Sequence, residues 1–118
     1  VIVLGRRRAL GIDVERLREI GNRDALVARH FSPNERRAMS GASGADQQRL
    51  FFQCWTRKEA LLKMSGRGLG TDLAQHDVGL GNDAPQGVNA SLHTFELEPG
   101  TIVSIASDRV WSTIHRIS

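Results

Sequence analysis

The chain has a single cysteine, Cys54, so no disulfide can close within it. A reducing cytoplasm is the expected location. No apolar run approaches the roughly 20 residues that cross a bilayer, and a membrane partner is not expected. The opening VIVLG has no initiator methionine, no charged leader and no small-residue cleavage site, which argues against a secretory signal. A chain that starts at Val1 in a strand-like run reads as a piece of something longer. Metal-ligand spacing of the zinc type is also missing: His30, His76, His93 and His115 are scattered, and no second cysteine joins Cys54. Cys54 has no base close to it in sequence and lies in an apolar helical run, so it reads as a buried structural thiol rather than a nucleophile. Aromatics make up only 5% of the residues and do not alternate with basic ones, as a base-stacking surface would need. Nucleic acid is therefore not an expected partner.

What is present is ordinary globular material. With 118 residues, 40% hydrophobic and 25% charged, one domain over residues 1–118 with one small core is expected. Lys and Arg number 16 against 13 Asp and Glu, giving a net charge of +3 and a pI near 10.0, which suggests an anionic partner. The densest basic run, Arg6, Arg7 and Arg8, suits either a solvated strand end or contact with a phosphate or an acidic protein.

The pattern along the chain changes period once. LGIDVE alternates, with Leu10, Ile12 and Val14 on one side and Gly11, Asp13 and Glu15 on the other, which predicts a half-buried strand whose carboxylates look out together. RLREIGNRDALVARHF suggests short helical turns interrupted at Gly21 and Asn22. FSPNE is a helix start: Ser32 can cap, Pro33 suits the first position and Glu35 can close a capping box. After the small-residue connector SGASGAD, in which Ser43 and Asp46 offer a second capping signal, a helical pattern runs to about Ser65. Gly66 and the rest of GRGLG then stop it. TDLAQHDVGLGNDAPQG reads as loop with a short strand at Asp77 to Leu80. VNASLHTFEL, TIVSIAS and VWSTIHRI are β-rich runs parted by turns, an antiparallel meander, with Trp111 in the core. Strand, then helices, then three strands is an α+β order.

Two groups of residues carry chemistry. Asp13 and Glu15 emerge on one face of a strand about 7 Å apart, since each residue rises about 3.3 Å. They are either solvated or flank a cation. On the long helix Trp55, Glu59 and Lys63 recur at i, i+4 and i+8 along one stripe, with Lys58 beside it. The plain account is a surface ion pair between Glu59 and Lys63 with Trp55 as core anchor. Against it, Phe51, Phe52, Trp55, Leu61 and Leu62 leave the helix little solvated surface, and charges in such a place need partners. Joined, the strand carboxylates and the helix carboxylate make a hard-cation site of the Mg²⁺ type, with Lys58 and Lys63 facing the phosphates of a substrate. GRGLG resembles a phosphate-cradling loop only superficially, because it follows a helix.

GIDVE at Gly11 to Glu15, followed by FSPNE, WTRKEALLK at Trp55 to Lys63 and GRGL, resembles the paired signature of the 4′-phosphopantetheinyl transferase superfamily. The longer WTRKEALLK form is similar to the larger, surfactin-synthetase-type branch, built from two similar halves, of which this chain matches the second. The resemblance implies an antiparallel sheet packed against a long helix. It also implies Mg²⁺-dependent transfer of phosphopantetheine from coenzyme A to a serine of an acyl or peptidyl carrier protein, with release of adenosine 3′,5′-bisphosphate. By position Asp13 and Glu59 would bind Mg²⁺, with Glu15 a third ligand directly or through water, Glu59 would act as general base, Lys63 would stabilise or protonate the leaving phosphate oxygen and Lys58 would contact the pyrophosphate. The histidine segment that the family places before GIDVE has no counterpart here. The implied alternative is a coenzyme A- and Mg²⁺-binding half that needs its first half, or a second copy of itself, for activity.

Overall fold

Alternation in LGIDVER builds strand β1 (Leu10–Arg16). The computed structural model describes residues 10–65, 72–81 and 91–107. Among these, β1 joins β2 (Ser91–Glu98) and β3 (Thr101–Ser107) in an antiparallel sheet of order β1-β3-β2. β2 and β3 form a hairpin whose turn passes through Gly100 at φ 88°, a left-handed conformation that glycine adopts without penalty. Ser104 is the register point of the sheet, standing opposite Asp13 on one side and Thr94 on the other. The third expected β run, with Trp111, lies outside the described residues, as do Arg6 to Arg8 and GRGLG.

Among the described residues, three α-helices separate β1 from the hairpin: α1 (Arg23–His30), α2 (Pro33–Ser40) and α3 (Ala45–Ser65). α2 starts as its sequence dictates. The Ser32 hydroxyl accepts from the Glu35 amide at 3.1 Å, and the Glu35 carboxylate accepts from the Ser32 amide at 2.8 Å. Gly44, at φ 59°, turns the chain into α3. Asp77 to Leu80 is not a strand. A single 3-10 turn at Leu73–Gln75 is followed by irregular backbone that packs on α2 and α3. Its amides bond to a side chain, Glu35, instead of to a neighbouring strand.

α3 lies across the sheet and carries the core on its inner face. Phe51, Phe52, Cys54, Ala60 and Leu61 are buried there, with Phe31 stacked on Phe51 at 5.6 Å. Burial pushes the Cys54 thiol well up, as an inert core cysteine requires. The hydroxyls in the helix–sheet seam are paired. The Thr56 and Ser104 hydroxyls meet at 2.7 Å, those of Ser104 and Thr94 at 2.8 Å, and Arg57 Nε donates to Thr94 Oγ1 at 2.8 Å.

The alternation of β1 is as expected, but its sense is inverted. Gly11 and Asp13 are buried against α3, whereas Ile12 and Val14 are 43% and 52% exposed on the far face. The reason is Gly11. A Cβ there would lie 1.9 Å from the Ala60 carbonyl oxygen and 2.4 Å from the Met64 amide nitrogen. Only a residue without a side chain lets strand and helix close, and the face that carries Gly11 is the one that closes. Gly11→Ala should therefore cost about 2 kcal/mol or more in urea unfolding. A change below about 0.5 kcal/mol, the size of an ordinary surface substitution, would show that the seam opens freely.

Candidate active site

The close approach at Gly11 brings the next inward residue of β1, Asp13, against the last turns of α3. Asp13 is 5% exposed. Its Oδ1 accepts from Lys63 Nζ at 2.7 Å, while its Oδ2 is buried with no hydrogen-bond partner among the described residues. A buried carboxylate with solvation on neither side is not the solvated strand face that the sequence allowed. Leaving such an acceptor unfilled costs about 1–3 kcal/mol, and more for a charged group.

Glu59 lies on the same side of α3, one turn before Lys63. Burial first, then the charges of Asp13 and Glu15, push its carboxyl up from the ordinary glutamate range, against the opposing pull of Lys63. Lys63 is pushed up in turn, first by its hydrogen bond to Asp13 and further by the three carboxylates together. Asp13, Glu15, Glu59 and Lys63 therefore share one field, although Lys63 bonds to Asp13 across the seam rather than to Glu59 on its own helix. At 51% exposure its side chain has a solvated route out of that bond. Glu15 is drawn aside by Arg18, whose guanidinium donates to Oε2 at 3.0 Å.

Among the described residues no group of three or more His, Cys, Asp or Glu side chains is arranged to hold a metal ion. A ready-made three-carboxylate cage is thus not formed. Mg²⁺ does not need one, because it is commonly held by one or two carboxylates with waters and substrate phosphates completing its shell. The partnerless Asp13 Oδ2 beside Glu59 fits that donor set.

Lys58 is not where the sequence put it. Glu59 and Lys58 are consecutive on a helix, about 100° apart; with Glu59 on the β1 side, Lys58 points into the interior. It is 0% exposed, and its ammonium spends its three N–H donors on Glu35 Oε1 at 2.8 Å, the Leu73 carbonyl at 2.9 Å and the His76 carbonyl at 2.7 Å. It has neither the exposure nor a free donor for a pyrophosphate, so that expected contact is corrected. Trp55, by contrast, is the expected anchor, packed on the core with its ring stacked on Phe51 at 5.9 Å and edge-on to His30 at 5.7 Å.

The sequence reading missed Glu35 as more than a cap and Gly11 as more than a strand residue. The first had a signal: a lysine inside an apolar helix needs a partner, and an acid is the natural one. Arg57 had the same signal and is held by Thr94 and by the carbonyls of Val78 and Gly81.

The family model described as the 4′-phosphopantetheinyl transferase superfamily matches residues 9–110. The chain belongs to that superfamily. The match spans both walls of the seam, β1 and α3. Among curated transferases of the family, HetI of Nostoc sp. is 39% identical over 62 residues, covering 52% of this chain and 26% of its own length. The transferase ffp of Bacillus subtilis is 27% identical over 107 residues, covering 85% of this chain and 47% of its own length. The chain thus spans no more than about half the length of either. Two solved structures share the fold. A holo-(acyl-carrier-protein) synthase from Bacillus anthracis, in complex with CoA (3′,5′-ADP), superposes with a TM-score of 0.63 at 23% identity over 84% of this chain and 93% of that one. The holo-[acyl-carrier-protein] synthase of Thermotoga maritima gives 0.65 at 17% identity over 90% and 63%. Among the described residues of this transferase-family chain no helix is long and apolar enough to cross a membrane.

The raised carboxyl of Glu59 has a thermodynamic sign. A carboxylate that holds its proton more tightly when folded opposes folding once the pH exceeds its unfolded range. Glu59→Gln should therefore raise the melting temperature slightly near neutral pH, and the gain should vanish below about pH 4, where the unfolded glutamate is itself protonated. A lower melting temperature near neutral pH would contradict the assigned field.

Proposed function

We propose that this chain carries the Mg²⁺ and pyrophosphate wall of a 4′-phosphopantetheinyl transferase. The reaction moves phosphopantetheine from coenzyme A to a serine of an acyl or peptidyl carrier protein and releases adenosine 3′,5′-bisphosphate. The observation that carries this reading is the partnerless buried oxygen of Asp13, set beside Glu59 and Lys63. Asp13 and Glu59 would hold Mg²⁺, with Glu15 acting through water. Bound there, Mg²⁺ would supply charge neutralisation to the pyrophosphate of the substrate.

The chain's own residues then divide the work. Glu59 takes the proton of the carrier serine hydroxyl. The serine oxygen bonds to the phosphorus that bears the pantetheine arm, and the bond from that phosphorus to the bridging oxygen breaks. Lys63 meets the charge that collects on the released phosphate, leaving Asp13 to do so. Its half-exposed side chain permits that short movement. Lys58 takes no part in ligand contact.

A second reading is favoured by the length comparison and by the exposed Ile12 and Val14. In it, the chain is a coenzyme A- and Mg²⁺-binding half that acts only with another half or with a second copy. One experiment separates the two. The chain is incubated with coenzyme A, Mg²⁺ and an apo carrier protein, and the carrier is weighed by mass spectrometry. Loading supports a self-sufficient or self-associating enzyme, coenzyme A binding without loading supports a half-site that needs its other half, and the absence of both binding and loading would contradict the proposal. Where loading occurs, Glu59→Gln should slow it by about 100-fold or more. Near-normal loading would remove Glu59 from the role of base.

A further inference from the structure

We propose that the buried Glu35–Lys58 ion pair is a positioning device: it sets the rotation of α3 that aims Glu59 at β1, and locks the segment 72–79 to that setting. The pair is 1% and 0% exposed. Glu35 is saturated, with Oε1 accepting from the Ser32 amide at 2.8 Å and from Lys58, and Oε2 accepting from the Val78 amide at 2.6 Å and the Gly79 amide at 3.1 Å. Lys58 adds the Leu73 and His76 carbonyls and lies over the Phe31 ring at 5.8 Å. One pair therefore ties together the start of α2, the middle of α3 and the segment that follows α3.

A buried ion pair is seldom more stabilising than an apolar pair of the same volume, because two ions must be desolvated. What it supplies is direction, since each bond has a required geometry that a methylene does not. Lys58 and Glu59 are neighbours on a rigid helix. Holding the Lys58 ammonium at a fixed point holds the Glu59 carboxylate on the adjacent face, where it shares its field with Asp13. Glu35 and Lys58 are accordingly positioning residues, acting through Glu59.

The functional consequence rests on the reading of Asp13 and Glu59 as cation ligands, so geometry and binding are measured separately. The full chain is prepared with Glu35→Gln and Lys58→Met together, which removes both buried charges at nearly constant volume. Hydrogen exchange at the Val78 and Gly79 amides should quicken. The Asp13 and Glu59 amide resonances should shift without metal, and Mn²⁺ affinity, followed by the electron paramagnetic resonance of the free ion, should fall about 10-fold or more. Glu35→Gln alone can still close the capping box at Ser32. It should show the same changes to a smaller degree, and it carries the test if the double variant does not fold. Asp72→Ala loosens the same segment at its 3-10 turn, where the Ala74 amide donates to Asp72 Oδ1, away from the pair, and should leave Mn²⁺ affinity unchanged. Unmoved Asp13 and Glu59 resonances in the Glu35 variants would overturn the positioning role, as would an Asp72→Ala loss equal to theirs. A wild-type chain that binds no Mn²⁺, with the resonances still moving in the variants, would overturn the cation reading and support the positioning one.

Discussion

The van der Waals contact between β1 and α3 at Gly11 is the constraint on which the remaining structure depends. With backbone meeting backbone, the strand lies close enough for Asp13 to reach the Lys63 ammonium and for Asp13 and Glu15 to act on Glu59. The same closeness buries the Ser104 hydroxyl between Thr56 and Thr94, so these hydroxyls satisfy one another. A larger side chain at position 11 would separate the elements and leave buried hydroxyls and a carboxylate without partners, each an expensive loss.

Two lysines of one helix illustrate how burial sorts chemistry. Lys58 and Lys63 are five residues apart and both meet a carboxylate. Lys58 has no exposure and no spare donor, which makes it a fixed part of the interior. Lys63 is half exposed and bonds to a carboxylate that keeps a second, partnerless oxygen. Only the second arrangement can exchange its ion partner for another cation and turn to an incoming phosphate. The helix thus carries a structural cation on its inner face and an adaptable one on its seam.

Much of this was legible in the residues. The capping box at Ser32 and Glu35, the long helix to Ser65, the buried Cys54 and the hairpin through Gly100 follow from local rules that tertiary packing did not override. The family was legible too, from GIDVE and WTRKEALLK in order. What local rules could not supply was the sense of β1. Alternation says which residues share a face and not which face is covered, and Ile12 and Val14 suggested the wrong one. Lys58 was misplaced for a similar reason: spacing put it beside Glu59, but its partner Glu35 is 23 positions earlier, and only the fold brings them together. Asp77 to Leu80 reads in sequence as a short strand, but the acceptor for its Val78 and Gly79 amides is a buried carboxylate rather than another strand.

The central claim is that one cation belongs to the seam and is held from both of its walls. Paramagnetic broadening tests it most directly, with sub-stoichiometric Mn²⁺ added to the isotope-labelled chain together with coenzyme A. The account predicts that the amide resonances of Asp13 on β1 and Glu59 on α3 broaden together, ahead of those of exposed acids such as Glu98. Broadening that spares either wall, or that falls equally on the exposed acids, would contradict it.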